Sequence, residues 1–485
     1  MSQTQPAVGM AFYSVLGFLR PALNIFLLPL FLNKKYLSEA EFGMYGLMMD
    51  FALISTIFIS LKINTAMLIN YYDYVDDDAK LKKYLSSTYS FSMVFGILIS
   101  AVLFFIGPSL FKSVYASEAI TFFPFGFIVV IQTLLTEMNL NYIVFLKNRK
   151  NIINYSIVLL TQILAVLFFQ VLFVVVLGRG LQGALEGVVL GNILVTVVVL
   201  MLERKIISFD WDWSMIKSSL KFSIPLIPYL IIYWFLTKSG KTFLERSTDL
   251  ETVGIYNLLI TLAGLVIFGL EAIVNAVRPF LFEAFKRNDS KDNAQISLLI
   301  RLTINAPLLI VPCLILIGTN IDLVTSNSEY FGIDKYITFA CFVMFVFVWA
   351  RMFYQQLVFT KKSQWVTMLS FVVFVVLMVA FYYLIPTMEI WGVLLATLIA
   401  NTVMAVLFYF AAQKALPINF NFVHLIGIPF IVFSLLFLLQ YTFEKNGWSL
   451  SAFGITQFFL VVTTILGLNW HVIRDYKKIF MKSAA

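Results

Sequence analysis

Arg20, Lys62 and Arg351 each lie deep inside a long apolar run of this 485-residue chain. A charge at the centre of a bilayer costs about 2.5–3.5 kcal/mol on insertion scales, so such residues need a polar cavity or a partner. Three bases sharing one hydrated space would make that space positive. It would suit an anion, above all a phosphate or pyrophosphate, which guanidinium and ammonium groups hold by charge-assisted hydrogen bonds.

Helical spacing places further polar residues beside these bases. Tyr13 and Asn24 share the face of Arg20, at i−7 and i+4. Asp50 precedes Lys62 in the second run, about 120° away around a helix, so the two need not pair. Glu271, Asn275 and Arg278 form a stripe at spacings of four and three. Arg301 faces with Asn305, and Arg351 with Tyr354 and Gln355. Glu137 and Glu186 are further acids inside apolar runs. Arg278 and Arg301, near run ends, have the simpler reading of snorkelling to the surface. For Glu271 the simpler reading is a salt bridge to a neighbouring arginine.

The elements that position these residues follow from composition. The chain is 61% hydrophobic and 12% charged. A soluble domain is about 45–50% apolar and about 25% charged, so the bilayer must solvate most of this one. A spanning helix needs about 20 mostly apolar residues. We read about fourteen such runs, at roughly 8–33, 42–68, 86–109, 118–145, 152–177, 182–202, 217–238, 251–277, 296–319, 335–360, 363–385, 389–412, 421–441 and 448–470. The fold class is an all-α polytopic membrane protein. Lysines and arginines concentrate on one side, as in Lys80, Lys82 and Lys83, or Lys147, Arg149 and Lys150. The positive-inside rule then makes both termini cytoplasmic. The same rule accounts for the net charge of +8, which needs no nucleic-acid partner. The four aspartates around Asp77 read as a helix cap, and neither histidine has metal-ligand spacing. No P-loop, GxSxG or cysteine cluster is present, so we expect no cofactor, no metal and no enzyme.

An internal repeat organises the runs. Phe42-Gly43-Met44-Tyr45-Gly46-Leu47 is echoed about 210 residues later by Val253-Gly254-Ile255-Tyr256-Asn257-Leu258. Gly187-Val188-Val189-Leu190-Gly191 is echoed by Gly392-Val393-Leu394-Leu395-Ala396, and FLKNRK from Phe145 by FTKKSQ from Phe359. The three matches keep their order and fall on equivalent run boundaries. They define two parallel six-helix lobes, residues 1–205 and 206–415, followed by an extra helix pair and tail over 416–485. Parallel repeats of this kind build transporters with a site at the interface of the halves. The junction ERKIISFDWDWSMIKSSLKFS reads as a short surface helix with Asp212 as its N-cap.

GFLRPALNIFLLPLFLNKKYLSEAEFGMYGL, from Gly17, resembles the opening two spans of bacterial polysaccharide flippases of the Wzx type. SLKFSIPLIPYLIIYWFLTKSGKTFLERSTDLETVGIYNL, from Ser219, resembles the entry to their second half. The wider superfamily includes the lipid II flippase and multidrug and toxin extruders. LGFLR, ending at Arg20, is similar to the lipid II flippase's first span, where an arginine lines the central cavity. Asp50 and Lys62 are similar in kind and spacing to that family's acid and base in span two, with Lys where Arg is usual. Lys241 sits where polysaccharide flippases often carry a base after span seven.

The resemblance implies a flippase that moves an undecaprenyl-pyrophosphate-linked glycan, an O-antigen or capsule unit, across the bacterial inner membrane. Its mechanism would be alternating access of two lobes around a cationic cavity. Arg20, Lys62 and Arg351 would hold the headgroup, with Lys241, Arg301 and Arg278 as further bases. Asp50, Asn24, Glu271 and Gln355 are the cavity's other polar residues, and Asp50 is the candidate for coupling to H+ or Na+. Partners would be membrane lipids and the polysaccharide polymerase machinery. A multidrug extruder is the alternative within the superfamily, disfavoured by the basic bias of the in-span charges. A membrane-embedded polymerase is the alternative from another class, disfavoured by short outer loops.

Overall fold

With no water in the bilayer core, backbone amides must be satisfied inside the segment itself, so apolar runs of this length fold as helices. The computed structural model describes residues 27–149, 151–202, 210–287, 290–418, 420 and 422–468. Among them the regular structure is helical, with no strand. Eleven of these helices are long and apolar enough to cross a membrane, and the chain is a multi-pass membrane protein. Large apolar side chains such as Phe105 and Tyr382 point outward, as lipid-facing residues must.

The backbone divides into two compact units, residues 1–254 and 255–485. In the first, the helices are α1 (Glu39–Ser60), α2 (Ile63–Tyr74), α3 (Asp78–Val114), α4 (Phe127–Asn148), α5 (Ile152–Val171), α6 (Gly180–Leu202), α7 (Trp213–Ser223), α8 (Ile227–Lys238) and α9 (Gly240–Glu245). α10 (Leu250–Ala263) starts at its end. The second unit holds α11 (Leu265–Arg287), α12 (Ser290–Asn305), α13 (Ile310–Thr319), α14 (Asp334–Phe359), α15 (Ser363–Ala415), α16 (Ile428–Lys445) and α17 (Leu450–Leu468).

Two expected spans are not single rods. The run over 42–68 breaks into α1 and α2 at Leu61 and Lys62, both left-handed, with φ of 46° and 52°. The Ser60 hydroxyl accepts the Lys62 amide at 3.1 Å, which satisfies one backbone group that the break releases. The run over 251–277 breaks at Gly264, between α10 and α11. Conversely, the runs over 363–385 and 389–412 form one stretch, α15, whose arms meet at Glu389 (φ 49°, ψ −120°). The run over 448–470 appears as the shorter apolar helix Ala452–Gly467, and most of the run over 8–33 lies outside the described residues.

Close hairpins explain one repeated motif. A Cβ on Gly187 would lie 2.8 Å from Gln170 Cα, where α6 doubles back on α5. A Cβ on Gly392, at the matching place in the similar phrase, would lie 2.9 Å from Ile385 Cα, where the arms of α15 reverse. Only glycine lets the backbones approach that closely.

Helix ends are capped as the sequence suggests. Asp77 accepts the amides of Ala79 and Lys80 at the start of α3, and Asp212 accepts those of Ser214 and Met215 at the start of α7. Asp212 also pairs with Lys83 at 2.8 Å. Tyr84 and Ser219 share a buried hydrogen bond of 2.9 Å, so α7 is fastened to α3 at its N-cap and again at mid-helix.

Candidate functional site

The break between α1 and α2 puts a charged side chain inside the first unit. Lys62 Nζ donates to Thr56 Oγ1 at 2.8 Å and to Glu137 Oε1, on α4, at 3.2 Å. Asn64 Nδ2 donates to the other carboxylate oxygen at 2.9 Å. The Glu137 side chain is 6% exposed and that of Lys62 19%. Each left-handed residue at the break costs about 1–2 kcal/mol. The ion pair depends on that turn, because a continuous helix would carry position 62 elsewhere around its axis.

Asp50, earlier on α1, has a different partner. Lys241 Nζ lies 2.8 Å from Asp50 Oδ2 and donates to the Gly46 carbonyl at 3.0 Å. The Trp234 indole donates to the Asp50 carbonyl at 2.9 Å. α8 and α9 are thus tied to α1 by a buried ion pair and a half-buried indole. As the helical angle suggested, Asp50 and Lys62 do not pair with each other.

In the second unit, α11 and α14 face each other with two polar layers. Arg351 donates to Glu271 through Nε at 2.9 Å and through a terminal nitrogen. Its guanidinium also lies 4.8 Å from the Tyr354 ring centroid, a cation–π distance. In the next layer, Arg278 Nε donates to Gln355 Oε1 at 3.1 Å. Arg278 therefore has a neutral buried acceptor as well as any reach to the surface. Arg301 lies half-buried on α12 with Asn305 buried on the same helix. Arg20 and Asn24 lie outside the described residues.

The electrostatic pattern differs from a simple ring of bases. Lys62, Lys241 and Arg351 each have an acidic partner. Taking ions out of water is expensive, and a partner with satisfying hydrogen bonds is what offsets that cost. In the second unit Arg351 pairs with the Glu271 carboxylate, whereas the acceptor shown for Arg278 is the neutral Gln355 amide.

A family model described as "Polysaccharide biosynthesis protein" matches residues 35–324. The chain belongs to that family. No curated protein matches it in sequence. Among solved structures, the lipid II flippase MurJ in an inward closed conformation aligns at TM-score 0.68 and 14% identity, covering 96% of this chain and 99% of that one. A multidrug-resistance MATE family transporter of the MOP superfamily, inward-facing, aligns at TM-score 0.62 and 13% identity, covering 82% and 98%. A Vibrio cholerae MATE transporter aligns at TM-score 0.51 and 14% identity, covering 84% and 94%. At these identities the likeness is one of fold: this polysaccharide biosynthesis protein has the MOP-type transporter fold.

Sequence reasoning did not assign Glu137 to the site of this polysaccharide biosynthesis protein, nor Asn64 and Thr56 beside it. Glu137 was visible as an acid inside an apolar run. Nothing in the sequence linked it to Lys62, 75 residues away. A second buried polar group was also missed. Asn139 donates to the Asn192 carbonyl at 3.1 Å and accepts from Thr196 at 3.0 Å, while Gln162 donates to Asn192 Oδ1 at 3.1 Å. These bonds join α4, α5 and α6, which is how transmembrane helices are commonly joined.

Proposed function

We propose that this polysaccharide biosynthesis protein is a flippase. It moves a polyprenyl-pyrophosphate-linked oligosaccharide, an O-antigen or other surface-polysaccharide unit, from the cytoplasmic to the outer leaflet by alternating access of two lobes. The observation that carries the reading is the pair of arginines on α11 and α14. Arg351 pairs with Glu271, while Arg278 on α11 is held by the neutral amide of Gln355 on α14. A diphosphate would supply Arg278 with the negative charge that an amide lacks, and guanidinium is suited to bidentate contact with phosphate. Glu271 would then act as the resident counterion that the headgroup displaces, and Gln355 as the group that orients Arg278.

Arg20, Asn24 and Arg301 are the further headgroup candidates that the sequence offers. Lys62 and Lys241 stay with Glu137 and Asp50 and are not assigned to the headgroup. The polyprenyl tail remains in lipid throughout. The protein acts in the bacterial inner membrane with both termini cytoplasmic, beside the polymerase that uses the flipped unit. H+ or Na+ supplies any coupling.

The test is translocation of a fluorescently labelled lipid-linked glycan in vesicles holding the purified chain. Arg351→Ala and Arg20→Ala should each lower the initial rate by about tenfold or more, a loss of at least about 1.4 kcal/mol in the transition state. If both variants fold normally and keep the full rate, the cationic headgroup site is wrong. Uptake of cationic drugs with indifference to the glycan lipid would support the extruder instead.

A further inference from the structure

Lys62 has the surroundings of a bound monovalent cation. Its ammonium has a hydroxyl oxygen at 2.8 Å and a carboxylate oxygen at 3.2 Å. The second oxygen of that carboxylate is held by Asn64, which fixes its orientation. α1 ends at Ser60, so the negative end of its dipole and its last carbonyls lie at the same break. In secondary transporters, the unwound carbonyls and C-terminal ends of discontinuous helices are what coordinate Na+ or H+. Here the space is filled from within the chain. The filling is made possible by the two left-handed residues, which turn position 62 back toward Thr56 and Glu137.

We propose that Glu137, Thr56 and the end of α1 form a monovalent-cation station, and that the Lys62 ammonium is its permanent, tethered occupant. The wild-type chain therefore neither needs nor takes up a free ion there. The proposal concerns the first unit alone and stands whether or not the headgroup assignment in the second unit does. An ammonium resembles potassium in size, and the nitrogen–oxygen distances here are potassium-like. Emptying the station should create a site that prefers K+ over Li+.

The experiment is thermal unfolding of the purified full-length chain in detergent. Chloride salts of K+, Na+, Li+ and N-methylglucamine are compared at equal ionic strength. The wild type should show no salt-specific shift that Glu137→Gln abolishes. Lys62→Ala should unfold lower in N-methylglucamine and recover saturably in K+, by roughly 2–4 °C or more, with Li+ weakest. Propylammonium, which restores the missing head and part of its stem, should also restore it. Lys62→Ala combined with Glu137→Gln should show no ion response.

An equal response of Lys62→Ala and wild type to every salt would overturn the proposal. So would an ion response that survives in the double variant. Should Lys62→Ala not accumulate, the same comparison is made with Lys62→Met. The wild-type arm also decides alone: a saturable K+ or Na+ stabilisation of the wild type that Glu137→Gln abolishes would show that the station holds a free ion beside the lysine.

Discussion

Gly43 and Gly254, the glycines of the two similar phrases, meet backbone to backbone. A Cβ on Gly43 would lie 2.5 Å from the Leu250 carbonyl oxygen and 2.8 Å from the Gly254 nitrogen. A Cβ on Gly254 would come closer still to the Glu39 carbonyl. A glycine at each position lets α1 and the start of α10 cross at backbone contact.

Gly43→Ala and Gly254→Ala should therefore destabilise the chain, although alanine is the better helix former by about 1 kcal/mol. The obstructing atoms are backbone, which cannot rotate away, so the net cost should be about 1–3 kcal/mol. Thermal unfolding in detergent measures it. An unchanged or raised midpoint in both variants would mean that the crossing is not tightly packed.

The Asp50–Lys241 pair should behave as a buried pair rather than as two independent charges. Asp50→Asn or Lys241→Met alone leaves one partner unmatched and should cost about 3–5 kcal/mol. The double variant should cost less than the sum of the singles, since it removes both ions together. A double-mutant cycle on unfolding midpoints reads the coupling; strict additivity would contradict the contact.

On the surface, the attachment of α7 should depend on pH. The Lys83 ammonium, and after it the Ser214 hydroxyl and the Met215 amide, hold the Asp212 carboxyl well below the usual range. A depressed carboxylate stabilises the folded form above its unfolded pKa of about 3.9. That contribution is complete at neutral pH and is lost as pH falls through the folded value. Protection of α7 amides from hydrogen exchange, corrected for the intrinsic rate, should weaken below about pH 4 in the wild type. In Asp212→Asn it should be weaker already at neutral pH and change less on acidification.

The layer at Arg351 predicts a chemical preference. Arg351→Lys keeps the charge but loses the planar fork and the stacking on Tyr354, so its glycan translocation should fall well below wild type. Glu271→Gln frees the guanidinium from its counterion and should tighten headgroup binding while slowing release. Binding and turnover measured separately in vesicles distinguish these effects. Equal activity of Arg351→Lys and wild type would mean that charge alone suffices.

Composition and periodicity by themselves determined the helical class, the bilayer as solvent and the repeated phrases, because twenty-residue apolar runs have one stable state in lipid. The caps at Asp77 and Asp212 were legible for a similar reason: a cap is made within a few residues of sequence. In-span charges marked the polar positions of the chain. Their partners were another matter. Lys62 and Glu137 are 75 residues apart, and Asp50 belongs to Lys241 on another helix. Which acid meets which base depends on helix rotation and on the break at Leu61 and Lys62, where a hydrogen-bonded left-handed turn overrides a run that reads as one continuous helix. Charge was local information, while pairing depended on packing, and only the tertiary structure decided it.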